Sequence, residues 1–155
     1  GHTYGNNNVW QMWAPGRDPV IFADIPWAEA LDHPGAFQMG LLRRLFEAYD
    51  YQQLQPTATL VVDGPNYGGA KTRAAKAEDG SFAFVYSPQG APFTVDRQQL
   101  DATRLKQCWF DPRYGSNHPI HTGDSGAYQT YTPPTSGRGN DWLLILDGTG
   151  EPVSR

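Results

Sequence analysis

From Thr57 onward, apolar and polar residues alternate in this chain with a period of two; before it they do not. The segments TATLVVDG, KTRAAKAEDG, SFAFVYSPQG, PFTVD, RLKQCWFDP, NHPIHTG, AYQTYTPP and DWLLILDG read as about eight strands at hairpin spacing. The joints have turn chemistry. Asp79-Gly80 is a two-residue hairpin signal. DPRYG sets Pro112 after Asp111 and ends on Gly115, the order of a type I turn closing on a glycine bulge. Strands separated by turns at intervals of roughly 8–12 residues indicate an antiparallel β-sandwich. FAFVY and LLIL are apolar at both alternating positions, as strands covered on both faces are. Phe82, Phe84, Trp109, Trp142 and Leu144 are the expected core anchors.

The first third of the chain has one helical period. In FQMGLLRRLFEAYDY, Leu42, Leu45, Phe46 and Tyr49 fall at i, i+3, i+4 and i+7, and Phe37 and Leu41 widen the stripe. Asp32 is placed to cap the helix, and Pro34 sits in its first turn, where a missing N–H costs nothing. The rest of this zone offers the stripe little to pack against. The prediction is a mainly β chain: a strand and loop, one amphipathic helix, then an antiparallel β-sandwich of about eight strands. The domain boundary falls between residues 55 and 56, giving units 1–55 and 56–155, with QQLQPT as the linker.

Composition narrows the function classes. The 155 residues are 39% hydrophobic and 18% charged, enough for a packed core and unlike a disordered chain. The net charge of −4 leaves no basic stripe for a phosphate backbone, so nucleic acid is not an expected partner. The longest apolar runs, such as Leu143 to Leu146, are far too short to span a bilayer, so neither is a membrane. One cysteine, Cys108, excludes an internal disulfide, and a small buried side chain is the expectation there.

Several motifs invite a catalytic reading and do not sustain one. GDSG, Gly123 to Gly126, lies between two short strands, where Asp-Ser-Gly is ordinary turn chemistry. His118 and His121 are three apart in a strand and point to opposite faces, a poor start for a metal site. Asp63, Asp79, Asp96, Asp111 and Asp147 fall in expected turns, not as an acid/base pair. No catalytic residue, metal ligand or cofactor is expected. The opening stretch GHTYGNNNVWQMW differs: His2, Tyr4, Trp10 and Trp13 combine large flat faces with polar tips, and Gly1 and Gly5 allow tight backbone. Sugar rings require stacking faces and hydrogen-bonding tips. A packed aromatic loop has the same composition, and both readings stand.

The stretches GHTYGNNNVWQMW, PWAEALDHPGAFQMGLLRRLFE, DGSFAFVYSPQGAPFTVD, CWFDPRYG and YTPPTSGRGNDWLLILD, in this order, resemble the C-terminal third of apiosidase-like glycoside hydrolases. In that family a (β/α)8 barrel is followed by a β-sandwich catalogued as a collagen-binding domain of a collagenase. The resemblance implies that GHTYG ends the last barrel strand and that residues 34–50 form the last barrel helix. His2, Tyr4 and Trp10 would then help line a sugar subsite at the face where such barrels keep their active sites. The acid/base and nucleophile carboxylates of the family belong to earlier barrel strands, and nothing here matches them. The chain opens on Gly1, and the expectation is the end of a larger enzyme. The expected function is a non-catalytic C-terminal portion of a carbohydrate-active enzyme, its sandwich buttressing the barrel. The alternative is a glycan- or collagen-binding module. The remainder of the parent barrel and carbohydrate are the implied partners, and a periplasmic or extracellular parent is the implied setting.

Overall fold

The computed structural model describes residues 4–101, 105–121 and 126–149. His2 and the first three residues of GDSG therefore lie outside the described residues. The chain divides into two compact units, 1–45 and 46–155.

The first unit carries two short helices, α1 (Asn7–Trp10) and α2 (Trp27–Ala30), and most of a longer one, α3 (Pro34–Glu47). Tyr4 and Gly5 form no strand. Helix α3 begins at Pro34 itself, so the residue in the capping position is His33 and not Asp32. Along its stripe Leu45 is buried, Leu41, Leu42, Phe46 and Tyr49 are partly buried, and Phe37 is 65% exposed. No helix among the described residues is long and apolar enough to cross a membrane.

The second unit is the expected antiparallel sandwich, with nine strands: β1 (Leu54–Thr57), β2 (Val61–Asp63), β3 (Arg73–Ala77), β4 (Phe82–Ser87), β5 (Phe93–Asp96), β6 (Lys106–Asp111), β7 (Ser116–Pro119), β8 (Tyr128–Tyr131) and β9 (Trp142–Asp147). They form a six-stranded sheet in the order β1-β3-β4-β9-β6-β7 and a three-stranded sheet in the order β2-β5-β8. The expected linker QQLQPT is partly strand: Leu54–Thr57 pairs with β3 and edges the larger sheet. Pro56 is tolerated there because one side of an edge strand needs no donor. The opposite edge, β7, also carries a proline, Pro119, and every residue of that strand is exposed.

Register explains the doubly apolar runs. Val85 and Trp109 both lie opposite Leu144, so the three share one face of the larger sheet. That face meets Phe93, Val95 and Tyr131 of the smaller sheet in the core, with Leu60 and Leu146. Burial of each such side chain contributes about 2 kcal/mol. Phe84 and Cys108 lie opposite Ile145 and share the other face, which is also buried. Part of its cover is local to this unit. The Tyr49 ring lies 4.9 Å from Phe82 and 5.0 Å from Phe84, and the Phe46 ring lies 6.2 Å from Phe84. Edge-to-face and tilted rings at these distances add to simple area burial. The anchors thus split: Trp109, Trp142 and Leu144 fill the space between sheets, while Phe82 and Phe84 lie on the far side.

The β3–β4 connection takes four residues, 78–81, not two. Gly80 has φ 75° and its N–H donates to the Ala77 carbonyl at 2.9 Å. The DPRYG turn forms as predicted, with Gly115 at φ 73° and its N–H 2.7 Å from the Asp111 carbonyl oxygen. This turn is also a latch. Arg113 donates through Nε and Nη2 to both oxygens of Asp111 at 2.8 Å. Its Nη1 donates to the Gly139 carbonyl at 3.0 Å and to Asn140 Oδ1 at 3.2 Å. The guanidinium lies over the Trp142 ring at 5.1 Å. CWFDPRYG and the tail motif therefore meet through one arginine.

Candidate functional site

The polar residues of NNNVWQ are occupied in shaping their own loop. Asn6 Oδ1 accepts from the N–H of Asn8 at 3.0 Å and of Val9 at 3.4 Å, capping α1. Its Nδ2 sits 3.0 Å from His33 Nδ1. Asn8 is buried, and its Oδ1 accepts from the N–H groups of Asp24 and Ile25 at 2.9 and 3.1 Å. Gln11 acts like a strand partner: Nε2 donates to the Ile21 carbonyl at 2.9 Å, and Oε1 accepts from the Val20 N–H at 2.8 Å. The Trp13 indole donates to the Arg17 carbonyl at 3.0 Å.

These bonds hold residues 12–27 in one shape against some strain. Met12 has φ 47° and Phe22 has φ 38°, in the left-handed region that costs a non-glycine residue about 1 kcal/mol or more. The result is apolar surface facing solvent: Phe22 is 92% exposed and Trp10 is 70% exposed, with Met12, Val20 and Ile21 beside them in sequence and also exposed.

A groove of about 270 Å³ opens on this loop, lined by Trp10, Gln11, Trp13, Arg17, Asp18 and Val20. Its chemistry is two indole faces, a guanidinium and one carboxylate, since both ends of the Gln11 amide are already engaged. It can stack a ring and hydrogen-bond its hydroxyls. The two-carboxylate arrangement that glycoside hydrolysis uses is not present in its lining.

Of the residues singled out from sequence, the structure brings Trp10 and Trp13 to this groove. Tyr4 is not in the lining; its ring lies on the start of α3, where a Cβ at Gly35 would come within 2.7 Å of Tyr4 Cε2. His2 lies outside the described residues. Sequence reasoning missed Arg17, Asp18 and Val20, and missed the clamps Asn8 and Gln11. The signal for the clamps was the crowding of amide side chains ahead of a Gly- and Pro-containing loop; nothing marked Arg17, Asp18 or Val20.

Of four tyrosines of the sandwich, Tyr67, Tyr114, Tyr128 and Tyr131, the first three are exposed, and they stand on separate stretches of chain. The fourth, Tyr131, is 2% exposed and belongs to the core, because the alternation of β8 turns it inward. Its hydroxyl donates to Gln129 Oε1 at 3.0 Å, and burial pushes its pKa up to about 12 while Arg97 opposes the shift. Burial, then the nearby Asp141 carboxylate, likewise raises Tyr86 to about 12; its hydroxyl donates to Asp141 at 3.0 Å. Tyr49 is pushed higher still, by burial first and by Asp147 second. Its hydroxyl feels that carboxylate without meeting full hydrogen-bond geometry. Burial raises the Cys108 thiol, so no activated nucleophile resides there.

Solved structures described as glycoside hydrolases share this fold. A solved structure described as a glycoside hydrolase matches 99% of this chain with a TM-score of 0.90 and 24% identity. A glycoside hydrolase family 5 protein from Bacteroides vulgatus ATCC 8482 matches 100% of it with a TM-score of 0.89 and 22% identity. The chain spans 34% of the length of each. No curated protein matches it. The chain belongs to the family described as "Putative collagen-binding domain of a collagenase", which matches residues 56–147. The description "Apiosidase-like, catalytic domain" matches residues 1–53, as the sequence resemblance implied.

Proposed function

We propose that this chain is the non-catalytic end of a carbohydrate-active enzyme. The loop ahead of α3 supplies one aromatic wall of a sugar subsite, and the sandwich buttresses a barrel whose other strands carry the chemistry. The observation that carries this reading is the clamped loop. Four amide and indole side chains, Asn6, Asn8, Gln11 and Trp13, spend their hydrogen bonds on holding a groove open around Trp10. A surface kept in a strained shape with its largest indole outward suits a ring-stacking ligand better than it suits a packed loop. The match of residues 1–53 to an apiosidase-like catalytic domain supports the same placement.

The experiment is an assay of the purified 155-residue chain on a panel of aryl glycosides, with tryptophan fluorescence recorded as sugars are added. No turnover is expected, because oxocarbenium chemistry lacks its two carboxylates. Quenching that saturates with sugar and vanishes in Trp10→Ala is expected. Turnover that disappears on replacing one Asp or Glu of this chain would overturn the non-catalytic reading.

A further inference from the structure

A second concavity lies in the sandwich. It is a groove of about 580 Å³ at the open side where β1 and the start of β3 face β2. Thr57, Thr72, Ala74 and Val61 are among its lining, and Ala74 and Val61 pack on the core. Along its rim stand Lys71, Arg73, Asp63 and Asn66, all exposed. Neither Lys71 nor Arg73 has a carboxylate partner among the described residues. Thr72 is buried, and its hydroxyl has no hydrogen-bond partner among the described residues.

We infer that this groove binds a saccharide bearing a carboxylate, a uronic-acid oligosaccharide, through Lys71 and Arg73. The volume lies in the range of roughly 300–1,000 Å³ that small-ligand sites occupy. Two cations two positions apart suit a carboxylate, and the planar Arg73 guanidinium can grip both its oxygens. Asn66 and Asp63 supply the mixed donor and acceptor set that ring hydroxyls need. Pro56, Pro65 and Val61 offer flat apolar surface to the C–H face of a ring. An extended peptide is a poorer occupant, because both bordering edges resist strand addition. Pro56 has no N–H to offer, and the register of β2 shifts between Val61 and Asp63. The open shape and water-screened cations make the binding weak, with Kd near the millimolar range by order of magnitude. The site is distinct from the Trp10 groove and stands whether or not that groove binds sugar.

The test is amide NMR of the full chain titrated with trigalacturonate and with the neutral galactose trisaccharide of the same linkage. Saturable shifts are expected at Asn66, Lys71, Thr72 and Ala74 with the acid. The neutral sugar should bind about tenfold more weakly, and the Lys71→Ala, Arg73→Ala double variant should lose about tenfold for the acid. Both side chains are exposed, so the variant should melt like the parent. Were it to melt early, raising salt on the parent protein gives the same readout, since screening weakens only a charge-dependent complex. Trp10→Ala should leave the titration unchanged. Absence of shifts at the groove, equal affinity for the neutral sugar, or an affinity indifferent to salt would overturn the proposal. So would a collagen-like triple-helical peptide giving the same shifts at lower concentration.

Discussion

Arg113 concentrates four hydrogen bonds and two ring contacts in one side chain, and its replacement has a definite expected outcome. Arg113→Ala leaves the buried Asp111 carboxylate without its charged partner and frees the Gly139–Asn140 loop. Breaking a fully buried pair costs roughly 3–5 kcal/mol, and the partial exposure of Arg113 reduces this to about 2 kcal/mol. Urea unfolding should show that loss, with Arg113→Lys intermediate because lysine cannot reproduce the fork. The pair also sets an acid response. Burial alone would raise the Asp111 carboxyl, but the hydrogen bonds and charge of Arg113 outweigh it and hold the pKa low. A depressed folded pKa gives stability that is present above the unfolded value and lost as pH falls through the folded one. Arg113→Ala should therefore flatten the loss of stability on acidification below about pH 4. Tyr131 works in the opposite direction. Its pKa, raised to about 12, gives stability that is full below about pH 10 and declines above it. Base titration of Tyr131→Phe should lack that part of the decline. Trp10→Ala should remove sugar-induced quenching while shifting the melting temperature little, since so exposed a ring buries little area.

Among the elements, the segment from Phe46 to Thr57 packs with the sandwich, while the family matches divide the chain between residues 53 and 56, beside the expected boundary. Phe46 and Tyr49 cover Phe84, and Leu54–Thr57 completes the larger sheet. A chain beginning near Arg44 should melt cooperatively. One beginning at Thr59 should lose the edge strand and bare Phe82 and Phe84, with a melt that is lower or absent. Equal melts for the two would show that the cover contributes nothing. Tyr49→Ala alone should cost about 3 kcal/mol. The strands were legible because inward and outward positions alternate plainly in PFTVD and AYQTY, and because Gly115 and Asp111 specify their turn. The doubly apolar FAFVY announced two covered faces but not which residues lay on which. That needed the register with β9. Pro56 hid β1, since proline reads as a break unless the strand is known to lie at an edge. In the site, Trp10 and Trp13 stood out by size, whereas Arg17 and Asp18 reach the groove through a chain reversal that the Asn8 and Gln11 clamps create.

On the scale of the whole molecule, stability is unevenly spread. Strand β9 lies between β4 and β6 with Leu144, Ile145 and Leu146 wholly buried, while the first unit rests on short helices and a strained loop. Amide exchange of Leu144 to Leu146 should follow global unfolding, and that of Val9 to Trp13 should be faster by orders of magnitude, by local opening. Comparable protection in the two would mean that the loop clamps share the cooperativity of the sheet. The six-stranded sheet ends at both sides on a strand carrying a proline, Pro56 or Pro119. A sheet with two such blunted margins offers a neighbouring copy fewer donors to pair with, which opposes edge-to-edge association through this sheet. Restoring a donor at both positions, with Pro56→Val and Pro119→Thr, should make sedimentation grow more steeply with concentration than it does for the parent chain.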